Sequence, residues 1–103
     1  MSAFAAVAEP TRRRILDELL DGEQPVNALV ERLGMSQPSV SKHLKVLRDA
    51  GLVAVRVDRQ SRKYRLQADS LAEIEQWLSP YRKFWTGRLD ALERHLDEEA
   101  SDD

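Results

Sequence analysis

The chain has 103 residues, 42% of them hydrophobic and 33% charged, with a formal net charge of −2 and no cysteine. This length supports one small domain with a modest core; the composition excludes a disordered or membrane-embedded chain, and the missing thiols exclude disulfides and thiolate metal centres. No apolar run approaches the roughly 20 residues of a membrane span and no leader pattern opens the chain, so a cytoplasmic protein is expected.

The opening SAFAAVAE predicts a short Ala-rich helix. Its Phe4 and Val7 have little nearby sequence to pack on, which leaves a docked N-terminus and a partner chain as alternative recipients. Glu9-Pro10-Thr11 starts a second helix with Pro at its first position, burying Ile15, Leu16, Leu19 and Leu20 and ending near Gly22. Arg12, Arg13 and Arg14 crowd its first turns, where the helix dipole disfavours cations. Two readings stay open for Arg12 and Arg13: contact with an external phosphate, or a solvated helix end with the aliphatic stems lying on the core. Pro25 begins a third helix, with Val26, Leu29, Val30 and Leu33 inward and Gly34 closing it.

Gly34-Met35-Ser36 is a tight turn into the stretch that organises the chain, GMSQPSVSKHLKVLRDAGLV. Ser36 is an N-cap residue, Pro38 sits in the first turn and Gly51 supplies the stop. Val40, Leu44 and Leu47 recur at helical spacing, which turns Ser39, Lys42 and Lys45 outward with Gln37, Ser41 and His43 on the flanks. A solvated helix usually carries Glu and Lys paired four apart, whereas this one offers short hydroxyls, an amide and then cations. Short polar groups let a backbone approach base edges, and Lys answers phosphate charge. Two helices joined by a Gly-containing turn, the second polar-faced and basic, form the helix-turn-helix pattern.

After Gly51 the period becomes alternating: Val53, Val55 and Val57 point one way and Ala54, Arg56 and Asp58 the other. A polar tip, Asp58 to Arg62, returns through Lys63-Tyr64-Arg65-Leu66, giving a two-stranded ribbon with Arg56, Arg59, Arg62, Lys63 and Arg65 against one acid. Such a ribbon is either a DNA-contacting wing or a hairpin whose charges prevent edge pairing, and its place directly after a helix-turn-helix favours the wing. The charge is divided along the chain. Residues 36–65 hold eight Lys and Arg against two acids, and residues 69–103 hold four against ten. Local charge, not the total, sets the footprint for a polyanion.

The last third is helical again, opened by the capping box Ser70-Leu71-Ala72-Glu73 and predicted to break or kink at Ser79-Pro80. Leu71, Ile74, Leu78, Tyr81, Trp85, Leu89, Leu92 and Leu96 follow steps of three and four, and Trp77 and Phe84 widen the stripe. This seam is too long for so small a domain to bury alone, so self-association through it is expected. Residues 98–103 form a frayed acidic tail.

The stretches EPTRRRILDELL and ALVERLGMSQPSVSKHLKVLRDAGLV, with the strand pair carrying Arg59, Arg62 and Tyr64, resemble the ArsR family of bacterial repressors over roughly residues 9–66. The resemblance implies a mainly α winged helix-turn-helix with a two-stranded β wing, dimeric through its N- and C-terminal helices. It implies a repressor that reads an imperfect palindrome, often at its own promoter, until an effector lowers DNA affinity. The organisation is then one domain, with residues 9–68 as DNA-binding core and 69–97 as dimerisation helices. Many relatives sense metals through two cysteines in a segment resembling ELCVCDL. Here Pro25 and Asn27 stand at those places, so that site is absent. A second family site uses His and carboxylates of the last helices, and one His95 among ordinary acids is a poor match for the four ligands zinc needs.

The sequence therefore predicts a DNA-binding regulator without cofactor or metal. Its duplex contacts are Ser36, Gln37, Ser39, Ser41, Lys42, His43, Lys45, Arg59, Arg62 and Lys63, with Arg12 and Arg13 as further candidates. Phe4, Val7, Trp77, Leu78, Tyr81, Trp85, Leu89 and Leu92 form the dimer interface. A protein-interaction module is the rival reading, and the basic ribbon argues against it. A third reading, an enzyme, has little in the sequence to carry it: there is no Gly-rich phosphate loop, no nucleophile pattern and no metal-ligand cluster.

Overall fold

The computed structural model describes residues 2–101, apart from the side chains of residues 89, 100 and 101. Each helix begins and ends where local chemistry dictates. The helix α1 (Ala3–Val7) is capped by Ser2, whose hydroxyl accepts the Ala5 N–H at 3.2 Å. The helix α2 (Pro10–Glu18) is capped by Glu9, whose carboxylate accepts the Arg12 N–H at 2.9 Å, with Pro10 first in the helix. The helix α3 (Val26–Leu33) stops at Gly34, which takes the left-handed conformation (φ 65°) and donates its N–H to the Val30 carbonyl. The helix α4 (Gln37–Asp49) starts at Ser36, whose oxygen accepts the Ser39 N–H at 3.4 Å.

Val40, Leu44 and Leu47 of α4 have no exposed surface, as expected, and they meet Ile15, Leu19, Leu29, Leu52 and Val53 in an entirely apolar core. Burying one such side chain stabilises the fold by about 1.5–3 kcal/mol, so α4 is fixed by what lies behind it. Ala3 and Ala6 complete the core from α1, so the N-terminal segment packs on its own domain. Phe4 and Val7 are partly buried there, Phe4 lying edge-on to Trp77 with ring centroids 6.0 Å apart.

Strands β2 (Val53–Asp58) and β3 (Ser61–Leu66) form the antiparallel hairpin, pairing from Val53↔Leu66 to Asp58↔Ser61. The tip is therefore the two residues Arg59 and Gln60, and Arg59 adopts a positive φ of 59°, a conformation tight two-residue loops require and that costs a non-glycine residue on the order of 1 kcal/mol. The sheet also gains a strand that periodicity did not announce. Residues Gln24–Pro25 (β1) pair with Tyr64 and Lys63, giving the order β1-β3-β2. Pro25 thus precedes α3 instead of opening it, and lies on an edge strand, where its missing N–H is tolerated.

Two apolar expectations fail. The helix α2 ends at Glu18, and beyond its last turn Leu20 is 68% exposed. Val57 is 69% exposed because the hairpin runs past the core that receives Val53.

A 3₁₀ turn (Ala68–Ser70) leads into α5 (Leu71–Ser101). The Ser70 hydroxyl donates to the Gly51 carbonyl at 2.9 Å, tying the end of α4 to the start of α5. Gly51 is required at that joint: its φ is 76°, and a Cβ there would meet Ser70 Oγ at 2.8 Å. The helix α5 does not break at Ser79-Pro80 but carries Pro80 in its interior. The carbonyl one turn earlier that loses its partner belongs to Gln76, an exposed residue. The helix also continues through Ser101, so the residues expected to fray from Glu98 are helical that far, and residues 102 and 103 lie outside the described part. The radius of gyration, 18.3 Å, exceeds the roughly 13 Å of a compact domain of this length. The helix α5 projects from the core.

Candidate nucleic-acid interface

The exposed positions of α4 include Gln37, Ser41, Lys42 and Lys45, with Ser39 partly buried. Lys42 and Lys45 face away from Val40, Leu44 and Leu47, Gln37 and Ser41 lie on the flank, and the helix presents no acid before Asp49. Ser36 is held by its capping role, which places its oxygen at the helix start.

Charge pairing divides the cations that the sequence grouped together. Arg56 grips Glu23 through two nitrogens, Nε at 2.8 and 3.0 Å and a terminal nitrogen at 2.7 Å. Lys63 donates to Asp58 at 3.1 Å. The Arg56 guanidinium holds the Glu23 carboxyl below the usual carboxylate range and is itself raised by it, while Lys63 lowers Asp58 in the same way. Among the described residues, Lys42, Lys45, Arg48, Arg59 and Arg62 have no acidic partner.

Strand geometry explains the division. Arg56, Asp58 and Lys63 project from one face of the hairpin, where Glu23 closes the network, whereas Arg62 shares the other face with Tyr64, toward α4. Lys63, expected from the sequence to meet the duplex, is paired with Asp58 in the free chain.

Three further candidates also have partners inside the chain. Arg12 donates to the Ala6 and Ala5 carbonyls at 2.6 and 3.3 Å, and Arg13 to those of Val7 and Ala8 at 2.7 and 3.2 Å. They satisfy the end of α1, which accounts for cations crowding the start of α2 without an external anion. His43 is half-buried, with Nδ1 3.9 Å from a Glu9 carboxylate oxygen. Partial burial pushes the Glu9 carboxyl upward, but the Arg12 N–H, His43 and Thr11 outweigh it and leave it lowered. Arg48 was missed by the sequence reasoning. It stands one helical step beyond Lys45, and together with Gln37, Ser41, Lys45 and Arg62 it walls a groove of about 350 Å³ between α4 and the hairpin.

The residues present do not fit the metal centres of the resembled family. Pro25 has no ligating side chain, Asn27 is exposed, and His95 Nε2 lies 3.1 Å from Glu99. Among the described residues no group of three or more His, Cys, Asp or Glu could hold a metal ion. Nor is any helix of those residues long and apolar enough to cross a membrane.

Comparison with known proteins identifies the family. The family described as "Bacterial regulatory protein, arsR family" matches residues 9–55. The HTH-type transcriptional regulator Rv2034 of Mycobacterium tuberculosis is 38% identical over 97% of this chain and 91% of its own length. The chain belongs to the ArsR family. Another relative, the transcriptional repressor SdpR of Bacillus subtilis, is 32% identical over 75% of the chain and 86% of its own length. A solved structure titled "possible transcriptional regulator for arsenical resistance" superposes with a TM-score of 0.70 at 40% identity, covering 89% of this chain and 93% of that one. This ArsR-family protein is accordingly a DNA-binding transcriptional regulator with a winged helix-turn-helix fold, and not an enzyme.

Proposed function

We propose that this ArsR-family regulator is a homodimeric, cytoplasmic repressor that occupies a palindromic operator, its own promoter included. The observation that carries the reading is the acid-free stretch of α4 from Gln37 to Lys45, bordered by the unpaired cations Lys42, Lys45, Arg59 and Arg62. Ser36, Gln37, Ser39, Ser41 and Lys42 at the start of α4 enter the major groove, and Lys45, Arg59 and Arg62 follow the backbone and the neighbouring minor groove. Lys63, His43, Arg12 and Arg13 support that surface from within the chain through the contacts described above.

Dimerisation rests on α5, where Trp77, Tyr81, Trp85 and Leu92 are exposed and Leu78 is partly buried; the Leu89 side chain lies outside the described residues. Phe4 and Val7 give part of their surface to their own chain, so they contribute to this interface from its edge. Two half-sites a whole number of helical turns apart, of about 10 bp each, would match the symmetry. The name of SdpR, a repressor, supports repression as the outcome. Release by a small-molecule or other effector completes the scheme.

The test is a gel-shift titration on the DNA upstream of the gene and on fragments selected from random sequence. Lys42→Ala and Gln37→Ala should relax sequence preference, whereas Arg62→Ala should weaken every duplex alike. Unchanged binding by all three variants would assign the DNA to another face.

A further inference from the structure

Two concavities lie between α4 and the hairpin. One, of about 350 Å³, includes Lys45 and Arg48; the other, of about 320 Å³, includes Asn27, Gln60 and Ser61; both include Gln37 and Arg62. They adjoin along their shared walls Val26, Gln37 and Arg62, making a cleft that no acid lines. One end is cationic and the other offers neutral amides and a hydroxyl. Val57, exposed and paired in register with Arg62, extends the hairpin's cleft-side face outward with an apolar side chain.

A duplex that takes α4 into its major groove and the hairpin tip into the adjacent minor groove has one sugar-phosphate ridge between the two. We propose that this ridge is seated in the cleft, with Arg48 holding phosphate by charge at one end, Asn27 and Gln60 holding it by hydrogen bonds at the other, and Val57 against the deoxyribose edge. This assignment rests on the DNA reading above and adds contacts that the sequence did not single out. The two ends have different thermodynamic signatures. A cation on a phosphate releases a counterion and adds about 0.9 to the slope of log affinity against log salt, whereas a neutral amide adds affinity without slope.

The experiment titrates full-length wild type, Arg48→Ala, Arg48→Lys and Asn27→Ala onto one selected duplex across a salt series. Both residues are exposed, so thermal unfolding of each variant should match wild type and serves as the folding control. Arg48→Ala should lower the slope by about 0.9 per cleft, hence about 1.8 for a dimer, and Arg48→Lys should restore it. Asn27→Ala should lower affinity about fivefold per cleft at every salt concentration with the slope unchanged. Wild-type affinity and slope in Arg48→Ala and Asn27→Ala, while wild type itself binds steeply, would overturn the cleft assignment and leave the DNA reading standing. A wild type that binds no duplex would remove both.

Discussion

The helices α4 and α5 are both amphipathic, and they are incomplete in opposite ways. The helix α4 buries its apolar face completely, through Val40, Leu44 and Leu47, and leaves cations without anions. The helix α5 has Arg82 paired to Glu75 at 2.7 Å and His95 beside Glu99, yet leaves apolar surface bare, with Trp77 57% and Leu92 54% exposed. What an element lacks describes what it is built to meet. The first calls for a polyanion and the second for apolar surface. The same contrast recurs within the hairpin, where Arg56 and Lys63 on one face are paired with Glu23 and Asp58 and Arg62 on the other is not.

The largest expected effect would break the contrast on the α4 side. Leu44→Ala should cost about 2–5 kcal/mol in denaturant unfolding, because its site is closed on all sides and the cavity cannot collapse freely. Trp85→Ala probes the opposite region. It should weaken self-association about thirtyfold by analytical ultracentrifugation, the scale of an interface hot spot of about 2 kcal/mol; an unchanged association constant would assign the seam another partner.

The smallest effect lies in the paired cations of the hairpin. Glu23 titrates below its ordinary value of 4.5 because Arg56 hydrogen-bonds its charged form. A depressed carboxylate contributes stability that is present above pH 4.5 and lost as pH falls through the lower folded value. Glu23→Gln should therefore lower stability slightly near neutrality and flatten the acid limb of a stability-versus-pH curve measured by denaturant unfolding. An unaltered acid limb would mean that Arg56 gains nothing from Glu23.

Local chemistry was legible in the sequence, and distant pairing was not. Ser36 and Gly51 bound α4 through contacts within a turn or two, so its limits and its buried face could be read directly. Leu20 and Val57 follow an apolar pattern past the point where the core ends, and periodicity carries no signal of where packing stops. Strand β1 depends on Gln24 meeting Tyr64, a long-range contact with only two residues to announce it. The partner of Arg56 is long-range in the same sense, Glu23 reaching it across the sheet, whereas those of Arg12 and Arg13 are near in sequence but depend on the turn that folds α1 back onto α2. A basic run in sequence therefore overstates the charge available to DNA, and only the fold separates Arg62 from Lys63.

That separation is open to direct measurement through the salt dependence of binding to one operator duplex by wild type, Arg56→Ala and Lys45→Ala. Among the described residues Lys45 has no acidic partner and Arg56 has Glu23. Lys45→Ala should lower the slope of log affinity against log salt by about 0.9 per protomer while Arg56→Ala leaves it within error of wild type. Equal slopes for all three proteins, or a loss confined to Arg56→Ala, would contradict the account.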